Sequence, residues 1–485
     1  MMSNHPSRMI VGPFNRVEGD LEVKLSIEDQ QVREARVNSP LFRGFERLLL
    51  NRPASDVLVY APRICGICSV SQSVASAYSL ANAYQMQMAN QGRILSNLIL
   101  STENLADHLT SFYLFFMPDF TRPIYADYPW YDQVKQHFQA GSSALAQVMQ
   151  TRATWLNIMG IVAGKWPHSL AIRAGGTTRA VALHEVLQLR TIVAQVQQFV
   201  SQRLIGDDLQ TFLSLSSQDE LMAWAKSADA QADLPLFLQI AQSLNLPELG
   251  VSQASLMSYG SYLKSDQGRY FTSGIYQQGQ LGEVDVNRIT EDVSHARYRL
   301  TEPRAPWQSS LDPAADRYNA YSWCKAPRLN GQVVEVGALA RQVIDGHPLM
   351  RDLYQHSASN VMTRVFARVF EIARVLVLVD SWLDELVVGE LCCYPDTPQD
   401  GRGVGLVEAA RGSLGHWLAI DNGKITQFQV IAPTTWNFSP RDQQGIAGAL
   451  EQALVGAPCL DSETDPVSVQ HIVRSFDPCM SCTVH

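Results

Sequence analysis

The chain has 485 residues, 46% hydrophobic and 18% charged, which is enough apolar material for two or more domains or one large multi-lobed unit. A formal net charge of −9 with no Lys/Arg tract excludes nucleic acid as a main partner. Eight cysteines are too few for a disulfide-stapled secreted scaffold.

The opening stretch, MMSNHPSRMIVGPFNRVEGD, has no charged region followed by an apolar run, so no signal peptide is expected. With the sparse cysteines, this predicts a reducing, cytoplasmic setting. Leu21, Val23, Leu25 and Ile27 alternate, the chain turns at Glu28-Asp29-Gln30, and alternation resumes, a β-hairpin pattern. Helical spacing runs from about residue 71 to 105 and again from 182 to 204. The mixed, polar stretch 214–303 predicts loops and short elements. A long helix is expected over 360–391, with no Pro and a single Gly, Gly389. Its apolar part carries Asp380, Asp384 and Glu385, so it reads as buried rather than membrane-spanning. Strands return over 403–433, with a hairpin turning at Asp421-Asn422-Gly423. The fold class is α-rich α+β, a long-helix bundle with small peripheral β-sheets, taken as one unit over 1–485.

The chemistry-bearing residues begin with two Cys-x-x-Cys pairs, Cys65/Cys68 and Cys479/Cys482. Four thiolates suit zinc or an iron–sulfur cluster, and by spacing alone structural zinc and a catalytic metal stand level. Cys324, Cys392, Cys393 and Cys459 lack such spacing and read as buried small hydrophobes. Zinc knuckles occupy one compact segment, whereas ligands from both ends of a long chain place a metal at the centre of the fold. Glu18 in FNRVEGD, Glu46 in LFRGFERL, Asp107-His108 in ENLADHLTSFY, Arg411 in ARGSLGHW and Asp477 before Pro478-Cys479 complete the set. Each alone reads as surface charge; beside four thiolates they read as a site.

In these residues the sequence resembles the large subunit of nickel–iron hydrogenases along nearly its whole length. The blocks are Arg63-Ile64-Cys65-Gly66-Ile67-Cys68, GKWPH, YSWCKAPRLNGQVVEVGALAR, ARGSLGHW, APTTWNFSPRD and the terminal Asp477 to His485, in family order. Structural zinc would need only the two cysteine blocks.

The resemblance implies a nickel held by four cysteines, two of them bridging to an iron that also carries carbon monoxide and cyanide. By position, Cys65 and Cys479 would be terminal nickel ligands and Cys68 and Cys482 bridges; soft thiolates suit both metals. Glu18 matches the proton-relay carboxylate, with His108 the next candidate. Arg411, fixed by Asp107 and Asp477, matches a guanidinium over the open metal position. Thr434, after Pro433, matches a hydroxyl that hydrogen-bonds a cyanide. Glu46, His485 and a carbonyl near Val430 match ligands of a magnesium or similar ion. Ile67 and Phe115 match the end of the gas route. No Cys motif remains for an electron relay, so an iron–sulfur small subunit is implied.

Three positions depart from the usual pattern. Gln72 stands where His is usual, Asp20 in RVEGD where His is usual, and Ala410 where Pro is usual. An amide at 72 can donate to a cysteine sulfur but cannot relay protons. These variants resemble the dihydrogen-sensing, regulatory branch, whose signal could pass to a histidine kinase, and the end at His485 agrees with it. The alternative is an uptake enzyme feeding a respiratory or soluble acceptor. Loss of the metal for quinone chemistry is excluded by the four cysteines.

Overall fold

The computed structural model describes residues 7–309, 312–460, 463 and 465–485. A three-stranded antiparallel sheet opens the chain: β1 (Ser7–Val11), β2 (Glu22–Glu28) and β3 (Gln31–Asn38), the last two forming the expected hairpin. Leu21, Val23, Leu25 and Ile27 are all buried, so the alternation marks a core face.

Helical spacing over 71–105 resolves into two helices, α1 (Ser69–Ala83) and α2 (Asn90–Thr110). The break is a helix C-cap: Gln85 takes φ +50°, and Met86 N–H donates back to the Ala81 carbonyl at 2.8 Å. Next come α3 (Ser143–Ala163) and α4 (Leu183–Phe199), the latter continuing to Ile205 as a π-helical turn. Small strands and short helices fill 214–303, and α5 (Ala338–Ile344) follows.

The long helix, α6 (Val361–Glu385), is shorter than expected. Asn360 caps it, accepting from Thr363 N–H at 3.0 Å, and it stops because Leu386 is extended and Val387 N–H turns to the Gln91 side chain. Helices α2, α3, α4 and α6 pack together as the bundle. None of the described helices is long and apolar enough to cross a membrane.

A second sheet comprises β4 (Gly401–Ala409), β5 (Gly412–Asp421) and β6 (Lys424–Ile431), all antiparallel. The β5–β6 turn is Asn422-Gly423, both at positive φ, as a tight hairpin requires. Three short helices complete the site: α7 (Pro433–Asn437), α8 (Val467–Ser475) and α9 (Met480–Thr483). This is the helix-rich fold with small sheets that the sequence predicts.

The sheet lies unusually close to α1. A Cβ on Gly403 would fall 1.9 Å from the Ser79 carbonyl oxygen, and one on Gly405 1.9 Å from that of Ala75. Small residues on α1 and glycines on β4 let two backbones touch, which fixes the helix that Cys68 precedes. Gly405→Ala forces backbone apart and should cost about 1–3 kcal/mol or more. The measurement is the midpoint of chemical denaturation, which should fall; an unchanged midpoint would contradict this packing.

Candidate metal centre

Two capping positions carry the thiols. Cys68 precedes the first residue of α1, and Cys479 precedes α9, which contains Cys482. The four Sγ atoms are buried and lie within 4.8 Å of one another. Cys65 and Cys479 are 3.4 Å apart, Cys68 and Cys482 2.7 Å, and Cys479 and Cys482 3.0 Å. Cys65, Cys68, Cys479 and Cys482 form no disulfide with one another.

Backbone pairing brings the two ends of the chain together. Met480 N–H donates to the Glu18 carbonyl at 2.7 Å, and Glu18 N–H donates to Pro478 O at 3.4 Å. Arg43, which sequence reasoning passed over, donates to the carbonyls of both Ile64 and Ser481 and so ties one cysteine segment to the other. Glu103, also missed, caps α1 from α2: it accepts from Val70 N–H at 2.8 Å, Ser71 N–H at 2.9 Å and Trp166 Nε1 at 3.0 Å. Burial pushes its carboxyl up to about 8 against the pull of those donors. Its one signal was a carboxylate one helical turn before Asp107.

The donor set fits a soft cation. Hydrogen bonding from Cys479, Cys482 and Cys68 holds the Cys65 thiol well below its ordinary range. Contacts with Cys479 and Cys482 push Cys68 well above it, and burial does the same to Cys482. A bound metal would deprotonate its thiol ligands outright, and four buried sulfurs this close together suit that role.

Arg411 sits in the two-residue turn between β4 and β5, buried beside the sulfurs. Nη1 pairs with Asp107 Oδ2 on α2, Nη2 with Asp477 Oδ1 at 3.2 Å, and Nε donates to the Asp477 carbonyl at 2.8 Å. Burial opposes its charge, and the two carboxylates more than offset that, holding it well above the ordinary guanidinium range. Asp107 Oδ1 and Asp477 Oδ2 are buried with no hydrogen-bond partner. The expected trio is assembled.

Glu18 is half-buried, its carboxylate accepting from Ser481 Oγ at 3.4 Å. Burial first, then the Cys65 charge, raises its pKa, which suits a group that exchanges protons with a thiol. His108 lies elsewhere: buried, its Nε2 is 3.1 Å from Glu371, and burial lowers its pKa. Gln72 makes no hydrogen bond to a cysteine sulfur. Gln72 Oε1 accepts from His416 Nε2 at 2.7 Å, and its Nε2 is buried without a partner. Thr434 Oγ1, following Pro433 at the start of α7, accepts from Cys479 N–H at 3.1 Å, which leaves its hydroxyl hydrogen to donate elsewhere.

Glu46, Val430 and His485 also converge. His485 Nε2 lies 2.8 Å from the Val430 carbonyl and 3.2 Å from Glu46 Oε1, all three buried. Burial opposes the Glu46 charge, but Lys325 and His485 outweigh it and lower the carboxyl. Lys325 Nζ, 3.5 Å from Glu46 and 3.3 Å from Glu291, was missed, although it stands in the quoted YSWCKAPR block. Ile67 is half-buried against the main core, and Phe115 is half-buried in a π-helical turn with its carbonyl accepting from Arg16.

The family model described as nickel-dependent hydrogenase matches residues 43–127 and 133–485. The periplasmic [NiFeSe] hydrogenase large subunit of Desulfomicrobium baculatum is 27% identical, covering 99% of this chain and 95% of that protein. The hydrogenase-2 large chain of Escherichia coli K12 is 24% identical over 99% of this chain and 97% of its own length. The oxidised Ni-Fe-Se hydrogenase structure from D. vulgaris Hildenborough superposes with a TM-score of 0.84 at 26% identity, covering 99% of this chain and 100% of that one. The convergence of the four sulfurs is thus embedded in a family fold spanning both ends, and this chain belongs to the nickel-dependent hydrogenase family, as a hydrogenase large subunit.

Proposed function

We propose that this large subunit cleaves dihydrogen heterolytically at a nickel–iron centre and passes the electrons to an iron–sulfur small subunit. The observation that carries the reading is the four-sulfur cluster, closed over by Arg411 with its two aspartates. Cys65 and Cys479 would hold nickel terminally, Cys68 and Cys482 would bridge to iron, and Thr434 would donate to a cyanide on that iron. The metal pair, when bound, supplies the Lewis acidity that polarises dihydrogen. Glu18 accepts a proton leaving the Cys65 or Cys479 sulfur and, being half-exposed, releases it outward. Arg411 holds positive charge near the four sulfurs, where it would face the bound metals, and its surroundings are buried. Glu46, His485 and the Val430 carbonyl would hold a magnesium or similar ion, one carboxylate oxygen, one carbonyl and one imidazole being an acceptable if incomplete set.

Use of the electrons divides two readings. One relative, from Afipia carboxidovorans, is named an uptake hydrogenase large subunit, and it favours an uptake role, which we assign a respiratory or soluble acceptor. A dihydrogen-sensing role, with a signalling partner such as a histidine kinase, is favoured by one observation: Gln72, an amide held by His416, where a proton-carrying imidazole is usual. A cytoplasmic setting belongs to this reading, against one relative that is named periplasmic.

Cys479→Ser should lower nickel affinity by more than the about 10–100-fold that loss of a supporting partner costs. Metal analysis of the purified heterodimer measures it, and full nickel occupancy would overturn the ligand assignment. Zinc in place of nickel and iron in the native protein would overturn the whole reading.

Glu18→Gln keeps shape but cannot take up a proton, so turnover should fall about 10²–10⁴-fold with metal content unchanged. Hydrogen–deuterium exchange activity is the measurement; native activity would move the relay to another group.

Ile67→Val with Phe115→Leu opens cavity space in the proposed gas route. For a sensor working in air, the double variant should lose activity on dioxygen exposure that the native protein survives. Equal survival would remove the gate from the argument for sensing.

A further inference from the structure

Arg411 leaves the backbone at a hairpin tip, and something must fix the direction in which it leaves. The tip is the two-residue turn Ala410-Arg411 between paired Ala409 and Gly412. Ala410 has no ring to hold its φ, so the turn has no intrinsic restraint of the kind proline supplies. Against this tip lies Arg341 of α5, fully buried.

Arg341 uses all five of its N–H donors. Nε donates to Glu371 Oε2 at 2.9 Å; Nη1 donates to Glu408 Oε2 at 2.9 Å and the Ala409 carbonyl at 2.8 Å; Nη2 donates to Glu371 Oε1 at 2.7 Å and the Ala410 carbonyl at 2.9 Å. The two carboxylates are themselves held. Glu408 accepts from Ser413 Oγ and from Tyr259 N–H, and Glu371 from Gln342 Nε2 at 2.8 Å and His108 at 3.1 Å. The tip is also jammed against the start of α5: a Cβ on Gly412 would fall 2.7 Å from Gly337 N.

We propose that Arg341 is the positioning residue for Arg411, gripping the Ala409 and Ala410 carbonyls so that the second guanidinium can leave the tip only toward Asp107 and Asp477. This rests on the role given above to Arg411. It also accounts for a buried charge and two buried carboxylates that touch neither the sulfurs nor the second metal position. A lysine at 341 keeps the charge, but its three donors radiate from one point and cannot span two carboxylates and two successive carbonyls.

The test uses the intact heterodimer. Arg341→Lys should lower kcat about 10–100-fold, the scale of a small misplacement of a catalytic group, with KM for dihydrogen and nickel content unchanged. Hydrogen–deuterium exchange of backbone amides over 405–416 should accelerate. In an Arg411→Lys background the same substitution should cost almost nothing further, because the group it positions has gone. Full additivity of the two changes, or unchanged exchange at the tip, would overturn the proposal. If Arg341→Lys fails to fold, Glu408→Gln, which leaves the Arg341–Glu371 pair intact, must show the same exchange and coupling, and independence there overturns it too. Arg411→Lys with native activity would instead overturn the role of Arg411 itself, and this proposal with it.

Discussion

The Arg411 guanidinium between Asp107 and Asp477 is the interaction on which the site depends. It joins three elements far apart in sequence: a hairpin tip, the bundle helix α2 and the segment that leads into Cys479. All three groups are buried, so none could carry charge alone; removing one partner from such a set typically costs about 3–5 kcal/mol. Asp477 is held twice, by its carboxylate and by its carbonyl, while its own φ is +55°, a left-handed conformation that a non-glycine residue adopts only under constraint. The constraint decides where Pro478 and Cys479 begin, and therefore where two of the four sulfurs lie.

The other half of the geometry is entropic. Cys65 and Cys479 are separated by 414 residues, as are Cys68 and Cys482. Closing such a loop carries an entropic cost that the ordered bundle and the two sheets offset by bringing both ends together. The C-terminal segment then docks by many small contacts: the Glu18 backbone on Pro478 and Met480, Arg43 on Ser481, Thr434 on the Cys479 amide, and His485 on Cys482 and Val430. Each is modest, and their number makes the docked segment stable without any covalent link. A metal shared by both cysteine pairs would add the strongest closure of all, which ties metal content to the order of this segment.

Legibility in the sequence followed the kind of signal. Period-two alternation showed β2–β3, and the Asp421-Asn422-Gly423 turn showed β5–β6, because both are local rules. The break between α1 and α2 was hidden, since Gln85 is not a residue whose type announces a left-handed turn; backbone and packing impose it. Cysteines, Glu18, Arg411 and its aspartates were readable because their types and blocks carry the chemistry. Glu103, Arg341, Lys325 and His416 were not, as a lone charged or imidazole side chain in an apolar block has no spacing rule that separates a buried clamp from a surface residue. Their roles emerge only when distant elements bring acceptors to them. Gln72 illustrates the limit well: its type was noted, but its partner comes from a strand more than three hundred residues away.

That partner changes what the Gln72 substitution means. Burial pushes His416 down to about 3, so its imidazole is neutral and has a single N–H to give. Ser76 Oγ lies 3.1 Å from Nδ1 and can donate to it, which leaves the hydrogen on Nε2 for Gln72 Oε1 at 2.7 Å. With its oxygen so engaged, the amide keeps both N–H groups free in a buried position one helical turn beyond Cys68. The arrangement favours a fixed donor over a proton carrier. Neither His416, too weak a base, nor Gln72, with no ionisable proton, can move charge at neutral pH, so this side of the cluster is electrostatically static. Glu18, by contrast, is half-exposed, and burial and the Cys65 charge raise its pKa. Of the two groups only the carboxylate can take up a proton, so under the proposed mechanism the exchange falls to Glu18 and not to Gln72.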